Sequence, residues 1–135
     1  MAKKIESVEG IGAVYGEKLR TAGCGTTAQL LKQGATRKGR EVLAGKTGIS
    51  PSIIMRCVNM ADLFRIKGVA TQYAELLEAA GVDTVKELKH RNAANLSHAM
   101  REANAARKLV RQLPAEKTVA GWIAQAKALP SVVTY

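Results

Sequence analysis

Val8-Glu9-Gly10-Ile11-Gly12-Ala13-Val14-Tyr15-Gly16-Glu17-Lys18-Leu19 returns 58 residues later as Ile66-Lys67-Gly68-Val69-Ala70-Thr71-Gln72-Tyr73-Ala74-Glu75-Leu76-Leu77. The correspondence runs on without a gap through Ala22-Gly23 against Ala80-Gly81, Thr26 against Thr84 and Leu30 against Leu88. That makes eight identities in the 23 positions from Val8 to Leu30. An internal repeat constrains the architecture more than any single motif, because each copy must fold as the same kind of unit. Each copy reads as a glycine turn opening a short amphipathic helix, which a second glycine then stops.

Working outward, Gly10 and Gly12 form the first turn, and Ala13 to Ala22 is a helix ended by Gly23. Thr26 with Gln29 makes a capping box for the next helix, which runs to Gly34. Thr36 opens a third helix that stops at Gly48. Ser50-Pro51, a serine N-cap followed by proline at the first helical position, starts a fourth. Its Ile53, Ile54, Cys57, Val58 and Ala61 share one face. The second copy keeps the order, with Thr71 to Ala80 as a helix ended by Gly81 and a second capping box at Thr84 and Glu87. Asn92 caps a helix carrying Leu96, Met100 and Ala103, followed by Leu109, Val110 and Leu113 before Pro114. The last helix carries Val119, Trp122, Ile123 and Ala126, and Pro130 stops it. Shifted by 65 residues, Ile54, Cys57, Val58 and Ala61 fall on Val119, Trp122, Ile123 and Ala126, so the repeat extends past the turn. The expected fold is all-α: two tandem four-helix repeats, residues 1–62 and 63–135, fused without a linker into one compact domain.

The 135 residues are 47% hydrophobic, enough for a folded core, with one Phe, one Trp and three Tyr among them. The net charge is +10, and it divides evenly: ten basic against five acidic residues in 1–62, eleven against six in 63–135. No tail accounts for the excess, so each repeat carries it, and a polyanionic partner follows, nucleic acid before an anionic membrane. Cys24 and Cys57 have neither metal-ligand spacing nor the density of a disulfide framework, and reduced thiols in a cytoplasm fit them. There is no apolar leader and no run of transmembrane length, so a soluble cytoplasmic protein is expected.

Val8-x-Gly10-Ile11-Gly12-x-x-x-Gly16-Glu17-Lys18-Leu19, followed by Ala22-Gly23-x-x-Thr26-x-x-x-Leu30, resembles a helix-hairpin-helix motif over about 25 residues of each copy. The doublet, with four helices per unit, resembles an uncharacterised bacterial family of tandem helix-hairpin-helix-like proteins over nearly the whole chain. The second copy is also similar to the N-terminal domain of strand-exchange recombinases. Glycine permits a left-handed backbone and removes the side chain that would hold a phosphate away. The amides of the following helix then meet the phosphate with a partial positive charge. The resemblance implies phosphate binding by Gly10, Ile11, Gly12, Val14 and Lys18, using the amides of Gly12 and Val14, and in the second copy by Gly68 and Ala70. It also implies a monovalent cation, K+ or Na+, at the backbone carbonyls of Glu6, Val8 and Ile11. Such contacts read no sequence. DNA-binding members of the motif family often carry Lys or Arg two residues after the second glycine, where this chain has Val14 and Gln72. The second glycine itself becomes Ala70, so the first copy is the expected grip and the second the degraded one.

Arg37, Lys38 and Arg40 at the start of the third helix, with Lys46 further along, are candidate phosphate contacts. So are Arg107, Lys108 and Arg111, expected on one helix with Arg107 and Arg111 four apart on one face. Lys89, His90 and Arg91 form a further cluster, and the alternative for each is a solvated surface. The resemblance also sets Lys18 against the Schiff-base lysine of a repair-polymerase lyase domain, but the second copy has Leu76 there, and a solvated helix lysine is the preferred reading. Tyr15 and Tyr73 are read as half-buried packing residues rather than base-stacking ones, and Trp122 as core. No catalytic constellation and no metal-ligand spacing is present. The expected function is non-enzymatic, sequence-independent binding of double-stranded DNA. A protein-interaction adaptor and an RNA-binding module are the alternatives.

Overall fold

The computed structural model describes residues 3–8 and 10–135. Glu9, inside the first glycine turn, lies outside the described residues. After a short 3-10 turn at Ile5–Ser7 come eight α-helices: α1 (Gly12–Thr21), α2 (Thr27–Gly34), α3 (Arg37–Thr47), α4 (Pro51–Leu63), α5 (Thr71–Ala79), α6 (Val85–Leu88), α7 (Ala93–Arg107) and α8 (Glu116–Ala128). No strand forms among the described residues, only an isolated bridge between Lys4 and Thr26. The fold is all-α. No described helix is long and apolar enough to cross a membrane.

The chain divides into two compact units, Met1–Asp62 with Val132–Tyr135, and Leu63–Ser131. In the first, Ile5, Val8, Leu19, Leu30, Leu43, Ile54 and Val58 are among the buried side chains. In the second, Leu76, Leu77, Val85, Leu88, Leu96, Val119 and Trp122 are. Short aliphatic and alanine side chains build both cores, as a composition poor in aromatics requires.

Local chemistry explains most helix ends. After α1, the Gly23 amide donates to Arg20 O at 3.0 Å and the Cys24 amide to Leu19 O at 2.7 Å, with Gly23 at φ +89°. After α5, Gly81 donates to Glu78 O at 3.0 Å and Val82 to Leu77 O at 2.8 Å. Each pair satisfies two carbonyls at the end of a helix. Thr26 forms the full capping box, accepting from the Gln29 amide at 3.2 Å while Gln29 Oε1 accepts from the Thr26 amide at 3.2 Å. Thr26→Ala should therefore cost about 1 kcal/mol in a urea melt; a loss under about 0.3 kcal/mol would count against the box as a stabilising device.

Two expectations fail locally. Thr84 accepts from the Glu87 amide at 3.2 Å, but Glu87 does not complete a box. Its carboxyl is instead held above the ordinary carboxylate range, by partial burial and then by the Asp83 carboxylate beside it. The helix after Asn92 also stops early, at Arg107, where Lys108 turns left-handed at φ +51°. Asn104 explains the stop: its amide accepts from Val110 N at 2.9 Å and donates to Val110 O at 3.1 Å, giving the backbone a partner outside the helix. Leu109, Val110 and Leu113 consequently lie in an irregular segment.

Candidate functional site

The buried side chains of Val8 and Ile11 anchor the first glycine turn. The Ile11 amide closes it by donating to Val8 O at 3.3 Å. Gly10 and Gly12 are left-handed, at φ +84° and +68°, a conformation that costs other residues about 1–2 kcal/mol. Helix α1 starts on Gly12 with Ile11 as its N-cap, and no side chain among the described residues caps it. Gly12, Ala13 and Val14 are exposed, and a Cβ added at Gly12 would meet no described residue beyond its chain neighbours within 4 Å. Helix N-terminal amides with no capping side chain and open space before them form a natural anion-accepting surface.

One side chain lies against this turn, and another crosses the helix that it opens. Arg56 of α4 places Nη1 3.1 Å from where a Cβ of Gly10 would stand, so a cation lies against the turn. Sequence reasoning missed this residue, because only the packing of α4 in three dimensions brings it within reach. On the other side Glu6 lies across Gly16, where an added Cβ would come within 2.9 Å of Glu6 Oε2. Glu6 reaches Arg20, whose Nε donates to Oε2 at 3.0 Å and whose second guanidinium nitrogen pairs with Oε1. The Arg20 hydrogen bond holds the Glu6 carboxyl below its ordinary range. Gly16 is thus small because a carboxylate strap crosses it. The expected cation ligands are chemically suitable: backbone carbonyl oxygens are the donors alkali cations take, and Val8 O spends one lone pair on a long bond to Ile11.

The second turn is backed by protein. Gly68 is left-handed at φ +93°, and a Cβ there would stand 3.2 Å from Trp122 Nε1. Gln125 Oε1 accepts from the Lys67 amide at 2.9 Å, and Gln125 Nε2 donates to Lys67 O at 3.2 Å. Tyr73 packs on Trp122 with ring centroids 5.6 Å apart, and its hydroxyl donates to Gln112 O at 3.4 Å. This turn therefore fastens α5 to α8. Ala70, the N-cap of α5, is extended and supplies no side-chain cap.

The basic candidates separate once they are placed. Arg40 is buried, and its guanidinium donates to Gly34 O, Ala35 O and Thr134 O at 2.9, 3.0 and 2.6 Å. It holds the chain together and offers no surface to a phosphate. Lys38 is exposed, as is Arg37, which pairs with Glu41 at 3.4 Å. Arg107 reaches Glu75 at 4.0 Å. Since α7 ends at Arg107, Arg111 does not share a helical face with it; Arg111 lines a pocket with Gln72, Tyr73 and Gln112. Lys18 lies with Val14 and Lys46 along a groove beside α1. Cys24 and Cys57 are buried and form no disulfide, and burial pushes the Cys24 thiol upward. Among the described residues no group of His, Cys, Asp or Glu could hold a metal ion.

A family described as a domain of unknown function, DUF4332, matches residues 9–129, most of the chain, and the chain belongs to this family. No significant match emerges among curated proteins or solved structures.

Proposed function

We propose that this member of the DUF4332 family is a non-enzymatic nucleic-acid-binding protein that grips double-stranded DNA without reading its sequence. The proposal takes the chain as two tandem helix-hairpin-helix-like repeats of which the first makes the grip. One observation carries it: α1 begins on an exposed, left-handed glycine, with no capping side chain among the described residues and open space where a Gly12 side chain would stand. A phosphate oxygen would accept from the Gly12 and Val14 amides, favoured by the partial positive charge at that helix end. Arg56 lies beside Gly10, and the net charge of +10 supplies long-range attraction. A monovalent cation at the carbonyls of Glu6, Val8 and Ile11 would add a further positive bridge to phosphate.

Lys18, Arg37 and Lys38 are the side chains of the first unit suited to neighbouring phosphates. Arg107, Lys108 and Arg111 are exposed candidates in the second unit. Its own turn, with Gly68 and Ala70, is assigned to packing, because Trp122 and Gln125 occupy its back.

Phosphate-dominated binding releases counterions, so affinity should fall with salt at a log–log slope of about −3 to −5. Fluorescence anisotropy of labelled random-sequence duplexes at two or more salt concentrations measures it. Binding that is absent at low salt or indifferent to salt contradicts the proposal. Structured RNA that outcompetes the duplex would move the reading to RNA.

A further inference from the structure

The structure carries a second surface on α1, which shares Lys18 with the proposed phosphate contacts but adds an apolar stretch that a phosphate grip does not use. Ala13, Val14, Glu17, Lys18 and Thr21 fall at i, i+1, i+4, i+5 and i+8 and so form one stripe of the helix. With Lys46 and Thr47 from the last turn of α3 they line a groove of about 530 Å³. That volume lies within the roughly 300–1,000 Å³ range of sites that bury a ligand or an anchoring side chain. Val14 is 67% exposed, the most exposed large hydrophobic side chain among the described residues. The apolar stretch is Ala13, Val14 and the methyl groups of Thr21 and Thr47; the cations are Lys18 and Lys46, against the single carboxylate of Glu17.

We propose that this groove docks an acidic, amphipathic segment of a protein partner, an aliphatic anchor packing on Val14 while flanking carboxylates meet Lys18 and Lys46. Charge complementarity selects the occupant: two lysines against one glutamate favour an anionic partner. The apolar floor selects a peptide over a duplex, since the phosphodiester surface of DNA offers no aliphatic group to bury there. The docking site shares Lys18 with the proposed DNA contacts, and the side chain of Val14, of which DNA binding uses only the amide, tells the two apart.

The test uses the full chain and a fluorescein-labelled peptide carrying leucines three and four residues apart between glutamates. Saturable binding is expected, weakened about tenfold by Val14→Glu and about tenfold by Lys46→Glu, and abolished when lysines replace the peptide's glutamates. Both substituted residues are exposed, and circular dichroism checks that each variant stays folded. No saturable binding of the acidic peptide overturns the inference. So does unchanged affinity in both variants, or displacement by duplex DNA with no sensitivity to Val14→Glu, which would make the groove a nucleic-acid surface.

Discussion

Arg40→Ala is expected to destabilise the protein by about 3 kcal/mol. The residue is 6% exposed, and its guanidinium donates to three backbone carbonyls, Gly34 O, Ala35 O and Thr134 O. Removing it takes the guanidinium donor from the buried Gly34 carbonyl at the end of α2 and from Thr134 O, and leaves Ala35 O with the Thr134 amide as its backbone donor. Each lost donor costs about 1 kcal/mol or more where water cannot replace it. Arg40→Lys should rescue little, because an ammonium is a compact charge and cannot span both the Gly34–Ala35 carbonyls and Thr134. Hydrogen exchange gives a local reading: the Thr134 amide donates to Ala35 O at 2.8 Å and should lose its protection in the alanine variant. A urea midpoint within about 1 kcal/mol of the parent and a still-protected Thr134 would contradict the role.

Gly39→Ala is expected to cost about 2 kcal/mol net, against the usual gain from replacing a helical glycine. Gly39 sits in the first turn of α3, and its Cβ would overlap the backbone carbonyl oxygen of Gln33 on α2. Helix propensity favours alanine by about 1 kcal/mol. Overpacking typically costs about 1–3 kcal/mol and occasionally more, and a backbone oxygen cannot rotate away as a side chain would. The overlap therefore wins, and α2 and α3 must part where Arg40 also binds. Thermal unfolding should fall by roughly 5–10 °C. A melting temperature equal to or above the parent's would show that the α2–α3 corner relaxes freely.

The sequence made legible whatever a few neighbouring residues decide. Thr26, Thr36, Thr84 and Asn92 each accept a hydrogen bond from the amide three residues on, as their positions before helices imply. Gly23 and Gly81 take the left-handed conformation that ends α1 and α5. The apolar face of the last helix was legible too, for Val119, Trp122, Ile123 and Ala126 are all buried. What tertiary contacts decide was not legible. Arg40 reads as one of a run of cations until the carbonyls around it are seen, and Arg56 gives no sign of its place beside Gly10. The end of α7 carries neither glycine nor proline; the Asn104 side chain sets it by competing for the backbone. Glu87 has the position for a capping box, but Asp83, where the first copy has Gly25, brings a second carboxylate beside it.

The central claim is that the Gly12 end of α1 grips phosphate, and Gly12→Val tests it most directly. No described residue beyond its chain neighbours lies within 4 Å of the added Cβ, so its main cost to folding is the left-handed backbone, roughly 1–2 kcal/mol. In anisotropy titrations with duplex DNA at low salt, affinity should fall about tenfold or more while helicity is retained, since a charge-assisted phosphate contact is lost. Affinity equal to the parent's, in a variant that circular dichroism shows to be folded, would contradict the account.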